Sequence, residues 1–505
     1  MKIFTTDDIR TIDRTTIENE GISSRQLIER VAEGVAAEVM RRWRPTKRIA
    51  VYAGPGNNGA DALAAARILV ENGYRPDVVL FNIGGNRLSA DCRQCRDDLL
   101  AVAPSLNFAE VVNKMTLPDI NSSWLVIDGL FGSGLKEPLS GGFTMLARHI
   151  NDSRATVVSI DIPSGLFCEW NVNNLERNMI HASLTLSVQF PKLAFLLSDN
   201  AHVVGKWQLL EIGLSEEAIR STRTNYHLVD GADVARVLRQ RPDFCSKADF
   251  GSALIVAGSY GMMGAAVLAA RGALRAGVGK LAVHSARCGY TTLQTAVPDA
   301  LFNADKQDIF ISDIRPYTHY TSIAVGPGIG TSDVTIGALE TFLKSVGRPV
   351  ILDADALNCI SKRPALLNHI PALSVLTPHA AEFDRLFGKQ PNAETRLLKA
   401  IQMARHYNII IVLKGHYSAV CRPDGKVYFN STGTPALATA GSGDVLTGVI
   451  AALLAQGYKP EIAAAMAAYI HGLAGELAEE THGQWGVTAS DIASNVGVAI
   501  KQIMG

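Results

Sequence analysis

The chain has no excess of charge of either sign. Lys plus Arg and Asp plus Glu each number 48, so the formal net charge is zero. A binder of nucleic acid or of an anionic membrane relies on a basic surplus, and the bulk composition offers none. No stretch of about 18 uninterrupted apolar residues occurs, so no membrane-spanning helix is expected. The opening segment MKIFTTDDIRTIDRTTIENEG is polar and acidic and lacks the apolar core of a secretory signal. Cysteine is sparse: seven are scattered along the chain, an odd number that fits a reducing cytoplasm. Cys92 and Cys95 form the one close pair, within the charged helical stretch ADCRQCRDDLL. With no second pair and no nearby His, they read as incidental to metal or redox chemistry.

What is present is an ordinary globular balance, 47% hydrophobic and 19% charged, over 505 residues. That length exceeds one compact core, so two or three domains are expected. After two helical stretches, an apolar strand at 48–53 ends in Gly54-Pro55-Gly56-Asn57-Asn58-Gly59-Ala60-Asp61, and a helix follows. This is the first half of a βαβ unit. Further strands are expected at 77–83, 124–128, 156–161 and 184–188. Polar groups gather at strand ends. Asp128 leads into Gly129-Leu130-Phe131-Gly132-Ser133-Gly134, and Asp161 leads into Ile162-Pro163-Ser164-Gly165. In a doubly wound parallel sheet the carboxyl ends of neighbouring strands converge on one ligand crevice. The pattern fades after Leu214, and the polar segment 215–226 marks a boundary, giving domains 1–220 and 221–505.

The second half starts a new alternation, with strands expected at 253–257, 280–284, 322–325, 349–352, 374–376 and 409–413. Their loops carry Gly326-Pro327-Gly328-Ile329-Gly330, Asp353-Ala354-Asp355, Thr377-Pro378-His379 and Lys414-Gly415-His416-Tyr417-Ser418. Asp424-Gly425 reads as a hairpin turn. The densest signal is Gly441-Ser442-Gly443-Asp444 running into an apolar helix. A glycine turn that opens a helix aims unpaired N–H groups and the positive end of the dipole at one point, which suits a phosphate. A carboxylate there repels the anion unless it has a task, such as taking a proton from a hydroxyl. The alternative is an Asp that merely caps the helix.

Val412-Leu413-Lys414-Gly415 followed by ATAGSGDVLTG resembles the ribokinase-like superfamily. GSYGMMGAAVLAARGALRAG, GPGIG, LDADALN, TPHAAEFDRL and ATAGSGDVLTGVIAALLAQG are similar to ADP-dependent NAD(P)H-hydrate dehydratases. GPGNNGADALAAARIL, DGLFGSGL and SIDIPSGL resemble NAD(P)H-hydrate epimerase domains. The resemblance covers nearly the whole chain and implies two α/β domains, a Rossmann-like doubly wound sheet and a ribokinase-like sheet. It implies repair of hydrated NADH and NADPH. The first domain would interconvert R- and S-NAD(P)HX, and the second would dehydrate the S form with ADP, releasing AMP and phosphate. The protein would then be both an isomerase and a lyase, cytoplasmic and homo-oligomeric, with NAD(P)HX and ADP as its small-molecule partners.

On the same resemblance, Asn57, Asn58, Gly59, Ala60 and Asp61 with Gly132, Ser133, Gly134, Leu135, Lys136, Glu137 and Pro138 bind the hydrate. Asp161 is its acid/base residue. Asn58, Asp128 and Ser164 would hold K⁺. Lys192 also matches a family position. In the second domain Ala265, Gly328 and His379 would meet the hydrate. Lys414, Gly415, His416, Tyr417 and Ser418 would hold the nucleotide. Gly443 and Asp444 would act at the transferring phosphate, with Mg²⁺. Glu382 and Asp355 are secondary candidates, equally suited to capping. The sequence departs from the family at Ala60, Ala62, Ser133 and Glu137, after Leu166, at Ala380-Ala381 and at Ser246-Lys247-Ala248. Two other readings remain open: a ribokinase-like kinase of a vitamin alcohol, and a first domain that only binds cofactor.

Overall fold

The computed structural model describes residues 1–113, 119–315 and 318–505. Two compact units account for the chain, Lys2–Thr224 and Asn225–Gly505. The first begins with helices Thr6–Glu20 and Ser24–Arg42, each opened by a capping box, Thr5 with Asp8 and Ser23 with Gln26. Seven parallel strands follow: β1 Ile49–Ala53, β2 Asp77–Phe81, β3 Phe108–Val111, β4 Leu125–Gly129, β5 Thr156–Ile160, β6 Leu184–Val188 and β7 Lys206–Leu210. Their spatial order is β3-β2-β1-β4-β5-β6-β7. β1 and β4 are buried along their whole length, which is why they read as unbroken apolar runs. β3 escaped the sequence reading because three of its four residues are partly or fully exposed. The chain winds outward from β1 through β2 to β3, then returns to β4 on the other side. The crevice at the carboxyl ends of β1 and β4 is therefore the switch point. Helix Asn57–Glu71 packs so close behind it that a Cβ on Gly59 would lie 1.8 Å from the Gly54 carbonyl oxygen.

In the second unit the strands are β8 Tyr226–Val229, β9 Ser252–Val256, β10 Lys280–Ser285, β11 Leu301–Ala304, β12 Ser322–Val325, β13 Ile351–Leu352, β14 Val375–Leu376, β15 Ile410–Leu413, β16 Ala419–Cys421 and β17 Val427–Asn430. They lie in the order β8-β17-β16-β15-β14-β13-β12-β9-β10-β11. All neighbours are parallel except β16, which runs against both β15 and β17. The turn between β16 and β17 holds Gly425 at φ +86°, as the Asp-Gly pair predicts. Here the winding reverses between β9 and β12, so the loops after Val256 and Val325 face one crevice. Helices Met263–Arg275, Ser442–Ala455, Pro460–His482 and Ala489–Met504 bury an alanine-rich core against the sheet. Among the described residues no helix is long and apolar enough to cross a membrane.

Candidate active sites

A cavity of about 710 Å³ opens at the switch point of the first sheet. Asn57, Asn58, Asp61, Gly132, Ser133, Gly134, Leu135, Lys136, Glu137 and Asp161 line it, as the sequence reading expects. Gly59 and Ala60 are buried behind the wall, and Pro138 is exposed off it. The wall also includes Asp13 and Arg10 from the first helix, neither of which was singled out. The missed signal was an acidic residue beside the buried positions Ile9, Ile12 and Thr16.

Asp161 sits in the left-handed region at φ +67°, a conformation that costs a non-glycine residue about 1 kcal/mol or more. The strain points its carboxylate back toward Lys192, whose Nζ lies 2.8 Å away. The Ser133 N–H donates to its other oxygen at 3.0 Å. Burial alone would raise the Asp161 pKa. The Lys192 charge and hydrogen bond, with the Ser133 bonds, outweigh burial and hold it below the ordinary carboxylate value. Asp61 goes the other way: burial, then the charges of Asp161 and Asp13, push it well above that value. Asp13 is raised to about 6 by burial and by Asp161, with Lys192 pulling it down. One crevice thus holds two carboxyl groups shifted in opposite directions. Such splitting assigns a base and an acid to the same site.

Asp128 and Ser164 lie deeper. Asp128 accepts from Ser159 Oγ at 2.8 Å, Ser164 N at 2.9 Å and Ser164 Oγ at 2.6 Å. Ser164 Oγ also accepts from the Phe131 N–H at 2.9 Å. Burial raises the Asp128 pKa, and these hydrogen bonds offset it in part. The nearby Asn58 leaves its side-chain nitrogen buried without a hydrogen-bond partner. Oxygen and nitrogen of an amide are assigned from such networks. Reversing the amide would put its oxygen where the unpaired nitrogen now lies. A buried carboxylate without a salt-bridge partner among the described residues, a hydroxyl and an amide oxygen form a set of hard donors that fits a monovalent cation.

In the second unit the Gly441–Asp444 turn forms as expected. Gly441 is the N-cap at φ +87°, a conformation a side chain resists, and a Cβ there would lie 2.4 Å from Leu268. The helix begins at Ser442, so Asp444 is its third residue and not the cap. No side chain caps this end, and Asp444 makes no side-chain hydrogen bond to the described residues. The capping alternative is thereby excluded. His471, buried beneath the turn, lies 2.9 Å from the Ser442 carbonyl oxygen through Nε2. A carbonyl only accepts, so Nε2 carries the proton. Burial lowers the His471 pKa to about 4, so the ring is neutral and braces the turn without adding charge.

Around Asp444 lies a charge cluster drawn from the segments that follow three strands. Lys414 Nζ is 3.1 Å from Asp353 and 3.8 Å from Glu382, and Thr447 donates to Asp353 at 2.6 Å. A Cβ on Gly443 would come within 3.2 Å of Lys414 Nζ, so that glycine keeps the lysine beside the helix N-terminus. Burial opposes the Lys414 charge, but Asp353, Glu382 and Asp444 outweigh it and raise its pKa. Asp444 itself is raised to about 7, by burial first and then by Asp353, with Lys414 opposing. A base acting near neutral pH needs such a value. His379 caps helix Ala380–Phe387, its Nδ1 accepting from Ala381 N and Glu382 N at 3.2 and 3.3 Å. Its backbone pairs with Lys414, which places both at one rim. A Cβ on Gly328 would meet that of Ala265 at 3.1 Å, so these two also adjoin. Asp355 is committed to structure, accepting from the Gly330 N–H at 2.9 Å. His416 is exposed and Tyr417 and Ser418 are half-buried, in the turn after β15. A separate cavity lined by Arg239, Arg241, Phe250 and Tyr458 lies at the amino ends of the strands, away from Asp444.

Comparison with known proteins matches the two halves of the chain to two family models. The model described as YjeF-related protein N-terminus matches residues 24–194, and that of NAD(P)H-hydrate dehydratase matches 253–497. The chain is 32% identical to the bifunctional NAD(P)H-hydrate repair enzyme of Moorella thermoacetica, over 97% of this chain and 95% of that protein. It is 30% identical to the enzyme of the same description from Thermofilum pendens, over 100% and 97%. The chain belongs to the bifunctional NAD(P)H-hydrate repair family. A Bacillus subtilis ADP/ATP-dependent NAD(P)H-hydrate dehydratase co-crystallised with ATP and Mg²⁺ is 31% identical; it aligns over 56% of this chain and 100% of its own, with a TM-score of 0.49.

Three of the departures, Ala60, Glu137 and the turn after Leu166, have a structural setting that accommodates them. Ala60 is fully buried inside helix Asn57–Glu71 and has no left-handed backbone to sustain, so its methyl adds to packing. Glu137 stands where the resemblance implies a basic residue. Here Arg10 lines the same cavity and approaches the Gly134 carbonyl oxygen at 3.4 Å, and Lys136 lies beside it. Glu169, in the altered turn after Leu166, accepts from the Thr6 N–H at 2.6 Å. This anchors the first helix through its positive end, and with it Asp13. Cys92 and Cys95 are buried, and burial pushes both thiols up to about 12. They remain protonated, which suits neither metal binding nor redox attack.

Proposed function

We propose that the first unit epimerises hydrated NAD(P)H at the Asp161 crevice and that the second dehydrates the S epimer at Asp444. Membership of the repair family makes the protein a bifunctional isomerase and lyase of NAD(P)H hydrates; the assignment of residues to steps is our own. The observation that carries it is the meeting of Asp61 and the Asp161–Lys192 pair at one crevice, beside an Asp444 with no side-chain hydrogen bond among the described residues at a helix N-terminus in the other.

At the first crevice, ionised Asp161 takes the proton from the hydroxyl of the hydrate, and Lys192 stabilises the charge. The carbon–nitrogen bond of the carbinolamine breaks as the C=O forms, with Asp61 protonating the ring nitrogen. The nitrogen then gives that proton back as it re-adds to the other face of the aldehyde, and Asp161 returns its proton to the alkoxide. Asn58, Asp128 and Ser164 would hold K⁺, which supplies positive charge beside the site. At the second crevice Asp444 takes the proton of the S hydroxyl. The oxygen attacks the terminal phosphorus of ADP, and AMP leaves. Hydroxide is a poor leaving group and phosphate a good one. The ring nitrogen lone pair then expels phosphate, and loss of the adjacent C–H proton restores the double bond. The N–H groups of the Gly441–Asp444 turn and the Lys414 ammonium stabilise the transferring phosphoryl charge. The carboxylates of Asp353 and Glu382 are the hard donors that would hold Mg²⁺, which neutralises phosphate charge. Lys414–Ser418 would hold the nucleotide, and Ala265, Gly328 and His379 the hydrate. A cytoplasmic homo-oligomer fits this reading, given the family and seven free cysteines.

The test is to incubate S-NADHX with ADP and the protein and to quantify NADH, AMP and phosphate, expected in equal amounts. Phosphorylation of a vitamin alcohol with no NADH formed would replace this reading with a kinase. The pH profile is a second check. Asp444 acts only when ionised and its pKa is raised to about 7. kcat/KM for dehydration should therefore fall about tenfold per pH unit below that value. Asp353→Asn removes a like charge and should move this limb to lower pH. A limb in the ordinary carboxylate range in the wild type would contradict the assignment.

A further inference from the structure

We propose that Glu176, His181 and His202 form a site for one divalent transition-metal ion of the zinc class, apart from both crevices. The three side chains come from different segments of the first unit. Glu176 starts the one-turn helix Glu176–Asn178, His181 lies in the loop before β6, and His202 is in the short helix Ala201–Val204. Their ligating atoms all lie within 4.8 Å of one another. His202 Nε2 is 2.8 Å from Glu176 Oε1, and His181 Nε2 is 3.8 Å from the same oxygen. The two rings stand perpendicular, with centroids 5.5 Å apart.

The second observation is His181 Nε2 itself, an atom closed to solvent and without a hydrogen-bond partner, in a side chain that is 36% exposed overall. A buried polar atom left unsatisfied costs about 1–3 kcal/mol. A hydrogen bond between Glu176 and His202 accounts for the shorter contact but leaves this nitrogen without a partner. One ion accounts for all three groups. With metal–ligand bonds of about 2.0–2.2 Å, tetrahedral geometry sets neighbouring ligand atoms roughly 3.3–3.5 Å apart. The two measured separations, 2.8 and 3.8 Å, bracket that spacing, so small side-chain rotations suffice. Two imidazoles and one carboxylate are the donor set of zinc-class ions, with a position left for water.

The backbone around the cluster is already tied together. Met179 N donates to Glu176 O at 2.9 Å, and Ala182 N to Val203 O at 2.8 Å. His181 N donates to the Asn151 side chain at 2.9 Å, and that side chain donates to Met179 O at 2.9 Å. Ligands held this way lose little entropy on binding. His181 and His202 precede β6 and β7, at the amino edge of the sheet, whereas the catalytic residues follow the carboxyl ends. The ion would therefore not touch the hydrate. It would staple the segment whose Ile180 N–H donates to the Ser164 carbonyl oxygen at 2.9 Å, behind the loop that carries Ser164.

The experiment uses tag-free full-length protein stripped with a chelator and titrated with Zn²⁺ and with Co²⁺ as a spectroscopic probe. One ion per chain is expected, with a rise in the unfolding temperature. Affinity should drop roughly tenfold or more in Glu176→Gln, His181→Ala and His202→Ala, with epimerase and dehydratase rates unchanged. Absence of saturable binding overturns the proposal. So does one-ion binding that persists in the His181→Ala/His202→Ala double variant.

Discussion

Replacing Asp444 with Asn is expected to abolish dehydration of S-NAD(P)HX, by about 10²–10⁴-fold or more, while R and S forms continue to exchange at the wild-type rate. The substitution keeps size and shape. It removes the one group at the Gly441–Asp444 turn that can take the hydroxyl proton. The fold is not at stake, because the carboxylate makes no side-chain hydrogen bond among the described residues and is raised to about 7 chiefly by burial. An amide there should be tolerated, since it relieves repulsion from Asp353. Lys414 keeps its partners Asp353 and Glu382, so nucleotide binding should survive. Measuring ADP affinity alongside turnover separates the two effects. Loss of both dehydration and epimerisation in a folded Asp444→Asn protein would sink the two-site account.

The converse variant is Asp161→Asn. Asn is suited to the position because it tolerates the left-handed backbone seen at φ +67°. It cannot take a proton, and it leaves Lys192 without its counter-charge. Breaking a buried pair of this kind costs about 3–5 kcal/mol, but Asp13 feels the Lys192 charge, and Asp61 in turn feels Asp161 and Asp13. With the Asp161 charge gone they lose one of the causes that raise them, so they ionise more readily and take over part of the pairing. The expected result is a folded protein whose epimer exchange falls by about 10²–10⁴-fold toward the spontaneous rate. Dehydration of pure S-hydrate should remain intact. Exchange at the wild-type rate would remove Asp161 from the mechanism.

Much of this was legible before the structure, for a physical reason. Strands buried on both faces, such as Ile49–Ala53 and Leu125–Gly129, must be apolar throughout. A polar or glycine-rich interruption then marks where a strand ends, and ligand crevices open at strand ends. Asn57, Asp128 and Asp161 stand out by that contrast, and Asp444 by the glycine turn that opens its helix. Asp13 does not, because its meaning depends on Asp161 and Lys192, which are distant in sequence. A helix of mixed polarity gives no local reason to single it out. Lys192 was noticed but had no role until its ammonium was found 2.8 Å from Asp161. Phe108–Val111 was missed for the opposite reason: an edge strand that is mostly exposed lacks the apolar run of a central one. The state of Asp444 was also beyond reach. Position within a turn is written locally, whereas the Asp444 pKa is set by burial first and then by Asp353, Lys414, Asp355 and Glu382, brought in from other loops.

The most direct test of the central claim starts from pure R-NADHX. With ADP present, the wild-type protein should convert all of it to NADH, with one AMP and one phosphate released per molecule. Without ADP, it should yield only a mixture of the two hydrates. Asp161→Asn protein should return NADH no faster than spontaneous epimerisation supplies the S form, and adding Asp444→Asn protein should restore the rate. Failure of the wild type to form NADH from either epimer with ADP would contradict the account.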